Sequence, residues 1–191
     1  MDKTEDTTRL GGKLLIAMPG MGDARFHKSV IFLCAHSEDG AMGLIVNKPS
    51  PALCFDELLE QLSIESGARA RSLPIYFGGP VELNRGFVLH SGDYLQSGNT
   101  IRVDEEFGMT ASLEVLKALA RGDGPQKALL ALGYAGWGPG QLESEIARNS
   151  WLISDTSLEL VFSSDDNGKW AGALGALGID PRLLSTSAGR A

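Results

Sequence analysis

The sequence predicts a mixed fold of α-helices and β-strands, packed in layers around one core. Short apolar runs that stop at glycine, proline or acidic turns indicate buried strands. Other stretches repeat their apolar residues with the spacing of a helix face. The chain has 191 residues, of which 43% are hydrophobic and 21% charged, so its composition is typical of a globular protein that buries its own core.

Three strands are predicted near the start of the chain, over 14–17, 30–36 and 42–47. The first stops at Pro19, and the other two flank a hairpin-forming turn, Ser-Glu-Asp-Gly at 37–40. Both hairpin strands are apolar on successive residues, so each face of the pair must be covered, one of them by helices. We therefore predict that these two strands form an antiparallel pair inside a layered fold.

Two helices are predicted by their spacing and their end signals. The first spans 55–62, where apolar residues recur at i, i+3, i+4 and i+7. Those residues are Phe55, Leu58, Leu59 and Leu62. The second begins after Ser112, a good N-cap, and ends where Gly122 can adopt the left-handed conformation.

The rest of the chain alternates between the two kinds of element. Further strands are predicted over 75–77, 86–90, 101–103 and 158–162, and further helices over 141–149 and 170–177. A glycine-rich loop is predicted over 133–140, after the apolar run 127–132. Without an internal repeat or linker, we expect one domain over 12–184, a flexible N-terminal tail over 1–11 and a C-terminal tail over 185–191.

Charge and composition argue against several classes of protein. The net charge of -7 and the pI of about 4.9 oppose contact with a DNA backbone. No apolar stretch approaches the roughly 20 residues of a membrane helix, and the polar start lacks the apolar core of a signal peptide. We therefore expect a cytoplasmic protein without membrane contact. Cys34 and Cys54 lie in apolar stretches, so both are expected to be reduced and buried.

Several motifs occur in order along the chain and together resemble the YqgE/AlgH family. They are LIAMPGM at 15–21, GAMGLIVNKP at 40–49, GGPV at 78–81, RGFVLH at 85–90, GYAGW at 133–137 and QLE at 141–143. The match covers about residues 12–191 without a large insertion. One departure lies at the end, where Arg190 stands at a position that is commonly histidine in the family.

The resemblance implies an α+β fold in which a curved, mixed or antiparallel sheet forms a partial barrel flanked by helices. It implies little about activity, because the family has no settled catalytic residues. Some members carry the label of transcriptional regulator, although the family is similar to no established DNA-binding module. A role for a terminal histidine is not expected here, because the chain has Arg190 instead.

The glycine-rich segment is the strongest candidate for a binding site. A strand, a glycine-rich loop and a helix N-terminus can bring backbone N–H groups to an anion. The Lys-Ser/Thr of a P-loop is missing, and Glu143 and Glu145 near the helix start repel phosphate, so nucleotide binding is not predicted. The candidates are Tyr134, Gly136, Trp137, Gly138 and Gln141. The alternative is a tight turn that uses glycine only to pack Tyr134 and Trp137.

Other polar residues lie at predicted strand ends inside the same motifs. Asn47, Lys48 and Arg85 are the next candidates for lining a pocket. The Gly-Met-Gly-Asp-Ala-Arg segment at 20–25 begins like a dinucleotide fingerprint, but Arg25 occupies the third glycine position. It is therefore interpreted as a surface turn that could contribute to a polar cleft.

A possible chemical centre is the pair Cys34 and His36, two residues apart on one predicted strand and so on the same face. The imidazole could activate a thiolate there, against the alternative of a buried structural cysteine. Zinc would need two further ligands, which the spacing of the other His and Cys residues does not offer. His90, at a strand end, could act as a general base or be satisfied by the backbone.

These observations predict a noncatalytic binding or regulatory protein that recognises another protein or a small ligand through the glycine-rich segment and nearby strand ends. No complete catalytic constellation is visible, and no cofactor or metal is predicted. The alternative is a redox or hydrolytic enzyme that uses Cys34 and His36. Direct DNA binding by a transcriptional regulator is disfavoured by the acidic charge balance and by the lack of a helix-turn-helix.

Overall fold

The computed structural model describes residues 9–95 and 98–184, and within them nine strands join in one sheet. The strands are β1 Leu14–Ala17, β2 Val30–Ser37, β3 Gly40–Ile45, β4 Ile75–Phe77, β5 Val81–Ser91, β6 Thr100–Arg102, β7 Phe107–Thr110, β8 Ala128–Trp137 and β9 Trp151–Ser154. The helices are α1 Phe55–Gln61, α2 Leu113–Ala120, α3 Gln141–Ala147, α4 Leu158–Val161 and α5 Asp166–Ala176. Short 3-10 turns lie at Ala24–Phe26 and Pro181–Leu183.

The sheet has the strand order β6-β7-β5-β8-β3-β2-β1-β9, and all neighbours in this path are antiparallel. The long strand β8 pairs with β5 on one side. On its other side its first half pairs in parallel with β4 and its second half pairs with β3. Because β4 is parallel to β8, the sheet is mixed.

A ring contact shows how strongly the sheet curls. Phe32 on β2 and Phe107 on β7 lie four strand positions apart, which is about 19 Å in a flat sheet. Their ring centroids are only 4.7 Å apart. The sheet therefore closes around the face that carries these rings, which is its inner face, and the expected partial barrel is confirmed.

Helices cover both faces of the sheet. On the inner face, α4 and α5 bury Val161, Trp170 and Leu174 against the strands. On the outer face, α1 and α2 pack onto β5 and β8, where alternate residues such as Val88 and Leu130 point the other way. A third cluster joins α3 to β1, β2 and β9. The expectation of helices flanking the sheet is confirmed.

Several predicted elements are confirmed. The strands at 14–17, 75–77, 86–90 and 101–103, the antiparallel hairpin of β2 and β3, and the helices α1, α2, α3 and α5 all lie where the sequence indicates, within a few residues. Gly122, just after α2, has the expected positive φ of 85°.

The prediction of a glycine-rich loop over 133–140 is wrong for most of its length. Residues 133–137 form the second half of β8, and only 138–140 are a turn before α3. The segment alternates between faces like any strand, since Ala135 and Trp137 pack in the third cluster while Gly136 is exposed. Its glycines concealed this alternation, because glycine is usually a signal for a turn.

Three further corrections concern the strands. Residues 158–162 were predicted as a strand, but the structure has α4 there, and the Ser157 hydroxyl caps it by accepting a hydrogen bond from the N–H of Leu160. A segment as short as α4 has too few residues for its apolar periodicity to distinguish a helix from a strand. Strands β7 and β9 were not predicted, because each has only four residues and β7 contains a glycine.

No helix in the described ranges is both long and apolar enough to cross a bilayer. The predicted C-terminal tail over 185–191, with Arg190, and residues 1–8 of the predicted N-terminal tail lie outside the described residues. Leu10, within the predicted N-terminal tail, packs against the cluster of α3, β1 and β9, and its N–H donates to His36.

Candidate functional site

An open cavity of about 630 Å³ lies on the inner face of the sheet, where α4 and α5 contribute no residue to its lining. Its walls come from β2, β3 and β5 to β8, and they include Met42, Arg85, Phe87, Met109, Tyr134 and Gly136. We call it the inner-face cavity. Its volume lies within the roughly 300–1,000 Å³ that is usual for small-ligand sites.

The walls of the inner-face cavity are mostly apolar. Phe87 and Tyr134 meet edge to face at 5.8 Å between ring centroids, on the neighbouring strands β5 and β8. Met42 and Met109 flank them, and their unbranched thioether chains can adapt to different ligand shapes. This wall continues the inner core, because all four side chains belong to it or pack against it.

An irregular segment of β5 forms one rim of the inner-face cavity. The pairing of β5 with β8 shifts register between Val81 and Gly86, and Glu82 within this bulge has a φ of 49°. Arg85, at the end of the bulge, holds its guanidinium 5.1 Å from the Phe87 ring centroid and 3.4 Å from a Glu82 carboxylate oxygen. Bulges of this kind often re-aim side chains beside functional sites.

A second cavity of about 470 Å³ adjoins the first and shares Val81, Gly136 and Trp137 with it. Its walls include Asp23, Phe26, Trp137, Gln141, Glu145 and Trp151. We call it the tryptophan cleft. Asp23 and Arg25 form an ion pair at this cleft, so the 20–25 segment contributes to a polar cleft as the sequence suggested.

One carboxylate organises the tryptophan cleft. Oε2 of Glu145 accepts the indole N–H of Trp137 at 2.9 Å and that of Trp151 at 2.8 Å. Its other oxygen accepts the side-chain amide of Gln141 at 3.1 Å. The two indoles meet edge to face at 6.0 Å, and Phe26 packs on Trp151 at 5.6 Å. Glu145 therefore fixes the position of the strand end that separates the two cavities.

The structure brings together four predicted site residues from two separate motifs. Arg85 on β5 and Tyr134, Gly136 and Trp137 on β8 all line the inner-face cavity. Gln141 lines only the tryptophan cleft, where Gly136 and Trp137 also contribute. Gly138 lines neither cavity, and its N–H donates to the Gln141 side chain at 3.0 Å to close the turn into α3.

Asn47 and Lys48 lie outside the linings of these two cavities and hold a neighbouring turn. The Asn47 side chain accepts the N–H of Val30 at 2.9 Å and donates to the carbonyl of Lys28 at 2.8 Å. The Lys48 ammonium donates to the carbonyl of Arg25 at 2.7 Å, and partial burial lowers its pKa. Both residues thus position the segment that carries Asp23 and Arg25.

Cys34 and His36 do not form a catalytic pair in this structure. Both nitrogens of His36 are engaged elsewhere, by the N–H of Leu10 at 3.1 Å and by Glu143 at 2.6 Å. Cys34 is buried in the inner core, and burial raises the pKa of its thiol to about 12. A thiol that stays protonated at neutral pH is a poor nucleophile. The expectation that Cys54 is buried is wrong, because it is exposed at the start of α1.

His90 is satisfied inside the fold, as one of its two interpretations expected. Its ring nitrogens lie 2.9 Å from the carbonyl of Ser91 and 2.8 Å from the hydroxyl of Thr110, and burial lowers its pKa. Within the described residues, no group of three or more His, Cys, Asp or Glu side chains is placed to hold a metal ion.

The sequence interpretation missed several residues that shape the two cavities. Glu145 was considered only as an acid that repels phosphate, and Trp151, Phe87 and Met109 were assigned no site role. For Phe87 an available signal was strand alternation, which places it on the same face as the candidate Arg85. Met109 lies on β7, a strand that the sequence did not reveal. The joint contact of Glu145 with two indoles depends on tertiary packing and leaves no local pattern.

Comparison with known proteins identifies the family. A family model described as DUF179, AlgH-like, matches residues 14–182. The chain belongs to the AlgH-like family. A UPF0301 protein of Ruegeria pomeroyi is 60% identical over 183 residues, and one of Cereibacter sphaeroides is 57% identical over 182 residues; each match covers 95% of this chain and 99% of the relative.

Solved structures agree with the AlgH-like fold. The solution structure of AlgH from Pseudomonas aeruginosa matches with a TM-score of 0.79 at 41% identity and covers 100% of both chains. A crystal structure from Corynebacterium diphtheriae matches with a TM-score of 0.71 at 23% identity, covering 96% of this chain and 92% of that chain, and it supports the fold alone.

Proposed function

We propose that this chain is a noncatalytic binding or regulatory protein of the cytoplasm that recognises its ligand or partner through the inner-face cavity. The observation that carries the proposal is the convergence of Arg85, Tyr134 and Gly136 on one open, mostly apolar space. A few polar groups in a largely apolar recess are the usual makeup of a ligand site.

The alternative of an enzyme that uses Cys34 and His36 has less support. The thiol is buried with a raised pKa, and the imidazole is held by Leu10 and Glu143. Among the residues that the structure describes, no histidine or cysteine lines the inner-face cavity. Recognition without turnover is therefore the simpler role for this cavity.

Some family members carry the label of transcriptional regulator. If this chain is a regulator, we expect it to act by recognising a ligand or a protein and not DNA. The net charge of -7 repels a phosphate backbone. The exposed side chains of Val81 and Ile101 at the cavity rim favour an apolar contact instead.

The proposal is tested by a thermal-shift screen of the full chain against nucleotides, thiols, divalent metals and common metabolites. A ligand at 100 times its dissociation constant stabilises by about 2.7 kcal/mol, or roughly 5–10 °C for a chain of this size. A variant with a changed cavity is needed as the control, but Trp137→Ala is unsuitable. Truncating a buried tryptophan lowers the free energy of unfolding by about 3–5 kcal/mol by itself.

A better pair of variants is Ala35→Trp and Ala171→Trp. Ala35 is exposed on β2 and lines the inner-face cavity, so a tryptophan there fills the site. Ala171 is exposed on α5, outside the lining. We expect ligand stabilisation to be lost only in Ala35→Trp. Stabilisation that survives in Ala35→Trp, or turnover of a compound that Cys34→Ser abolishes, would contradict the proposal.

A further inference from the structure

We propose that the inner-face cavity binds an amphipathic carboxylate, with its anionic group at Arg85 and its apolar body along Phe87, Met109 and Met42. This inference rests on the proposed function and specifies the ligand class of the same site. It follows from the charge, the backbone and the apolar surface of the cavity.

The charge distribution in the cavity is polarised. Among the described residues that line it, Arg85 and Asp39 are the charged ones. Arg85 lies on β5, whereas Asp39 lies on the turn into β3, and β8 separates these two strands. Two strand spacings are about 10 Å, so the backbones that carry the cation and the carboxylate are separated across β8. An elongated ligand with one anionic end fits this polarity in one orientation.

Arg85 retains capacity to bind an anion. Its guanidinium carries five N–H donors, and the contact with Glu82 at 3.4 Å is long and involves one nitrogen. The side chain is 58% exposed, and its guanidinium carbon lies 5.1 Å from the centroid of the Phe87 ring, within the range of a cation–π contact. A planar guanidinium suits bidentate recognition of a carboxylate.

The backbone beneath Arg85 is strained in a way that supports a binding role. Glu82 adopts a φ of 49°, a left-handed conformation that costs free energy for a residue with a side chain, within the register shift of β5. The bulge lifts 82–85 out of regular pairing and leaves Arg85 at the cavity rim. Regular pairing of β5 with β8 through this segment would not require the left-handed conformation of Glu82.

The apolar surface of the cavity provides the site for the ligand body. Met109 on β7, Phe87 on β5 and Met42 on β3 line the cavity, and Tyr134 on β8 lies between the last two strands. Ile101, at the rim, is 50% exposed. An apolar chain laid along this wall would cover Ile101 and gain the free energy of removing apolar surface from water. Methionine side chains allow the wall to accept chains of different shape.

The test is a titration of the full chain with decanoate, decanol and decyltrimethylammonium below their micellar concentrations, followed by amide chemical shifts in NMR spectra. We expect decanoate to bind most tightly, with shifts centred on Phe87, Met109 and Gly136. Arg85→Gln should weaken decanoate binding by about tenfold or more, and Arg85→Lys by less, because it keeps the charge. Arg182→Gln, an exposed arginine outside the cavity, is the matched control and should leave affinity unchanged.

The Asp39→Asn variant tests independently whether the charges of the cavity orient the ligand. Removing the Asp39 carboxylate should tighten decanoate binding modestly, because it removes a like charge from the cavity. Equal binding of decanol and decanoate, or no loss in Arg85→Gln, would overturn the inference while the cavity remains a ligand site. Tighter binding of decyltrimethylammonium, weakened by Asp39→Asn, would also overturn it. If none of the three probes shifts cavity amides, the inference fails, and the Ala35→Trp comparison decides the proposed function separately.

Discussion

Trp137 and Trp151 donate their indole N–H groups to the same oxygen of Glu145, at 2.9 and 2.8 Å. The two residues are the last of β8 and the first of β9, strands that are not neighbours in the sheet. Both indoles are almost fully buried, at 7% and 2% exposure, so the carboxylate is the acceptor that satisfies their donors. This contact fixes the strand end shared by the two cavities.

Replacing Glu145 with alanine is expected to lower the free energy of unfolding by about 3 kcal/mol, because two buried indole N–H groups lose their acceptor. Glu145→Gln keeps an acceptor oxygen and should cost about 1 kcal/mol. Urea denaturation measures both values. Glu60→Ala, at an exposed position of α1, is the control and should change little. A loss well below 1 kcal/mol in Glu145→Ala would show that the shared contact does not hold the strand end.

The two cysteines should react very differently with an alkylating reagent. Burial raises the pKa of the Cys34 thiol to about 12, whereas Cys54 is exposed. In the native state at neutral pH we expect one label, at Cys54, and a second label only after denaturation. Mass spectrometry of peptides from the labelled protein reports both sites in one experiment. Native labelling of Cys34 at the rate of Cys54 would revive the redox alternative.

The elements with strong local signals could be predicted from the sequence. The hairpin of β2 and β3 has a turn signature, and α1 and α2 have regular apolar spacing with end signals. The glycine-rich half of β8 could not be recognised, because its strand alternation uses glycine, which also signals turns. At the site, the motifs that contain Arg85 and Tyr134 were identified, but not the pairing of β5 with β8 that joins them.

A buried lysine outside the cavities should be important for stability. Lys169 is 1% exposed, and its ammonium donates to the carbonyl of Val46 at 2.7 Å and pairs with Asp166 at 3.0 Å. Burial lowers the pKa of Lys169, while Asp166 opposes that shift. Lys169→Met should cost about 3 kcal/mol, because it leaves Asp166 without its cation and the Val46 carbonyl without a donor.

The double variant Lys169→Met with Asp166→Asn tests this explanation by thermal or urea unfolding. Neutralising Asp166 removes the uncompensated charge, so the double variant should be more stable than Lys169→Met alone. Additive losses from the two changes would mean that the ion pair is not the source of the effect.

Asn47 is expected to act in stability and not in ligand binding. Its side chain bridges Val30 and the carbonyl of Lys28, a residue with a φ of 51°. Asn47→Ala should lower the free energy of unfolding by about 1–2 kcal/mol, because both hydrogen bonds are lost. The affinity of the inner-face cavity for its ligand, measured by calorimetry well below the melting temperature, should stay unchanged. A large loss of affinity with unchanged stability would instead place Asn47 at the binding site.

Ligand recognition at the inner-face cavity is tested most directly by a crystal structure of the chain with the first ligand that stabilises it. We predict ligand density in the inner-face cavity, against Phe87 and Gly136 and within reach of Arg85. Ligand density elsewhere would contradict the proposed function, for example in the recess of about 440 Å³ that Tyr76 and Asp166 line.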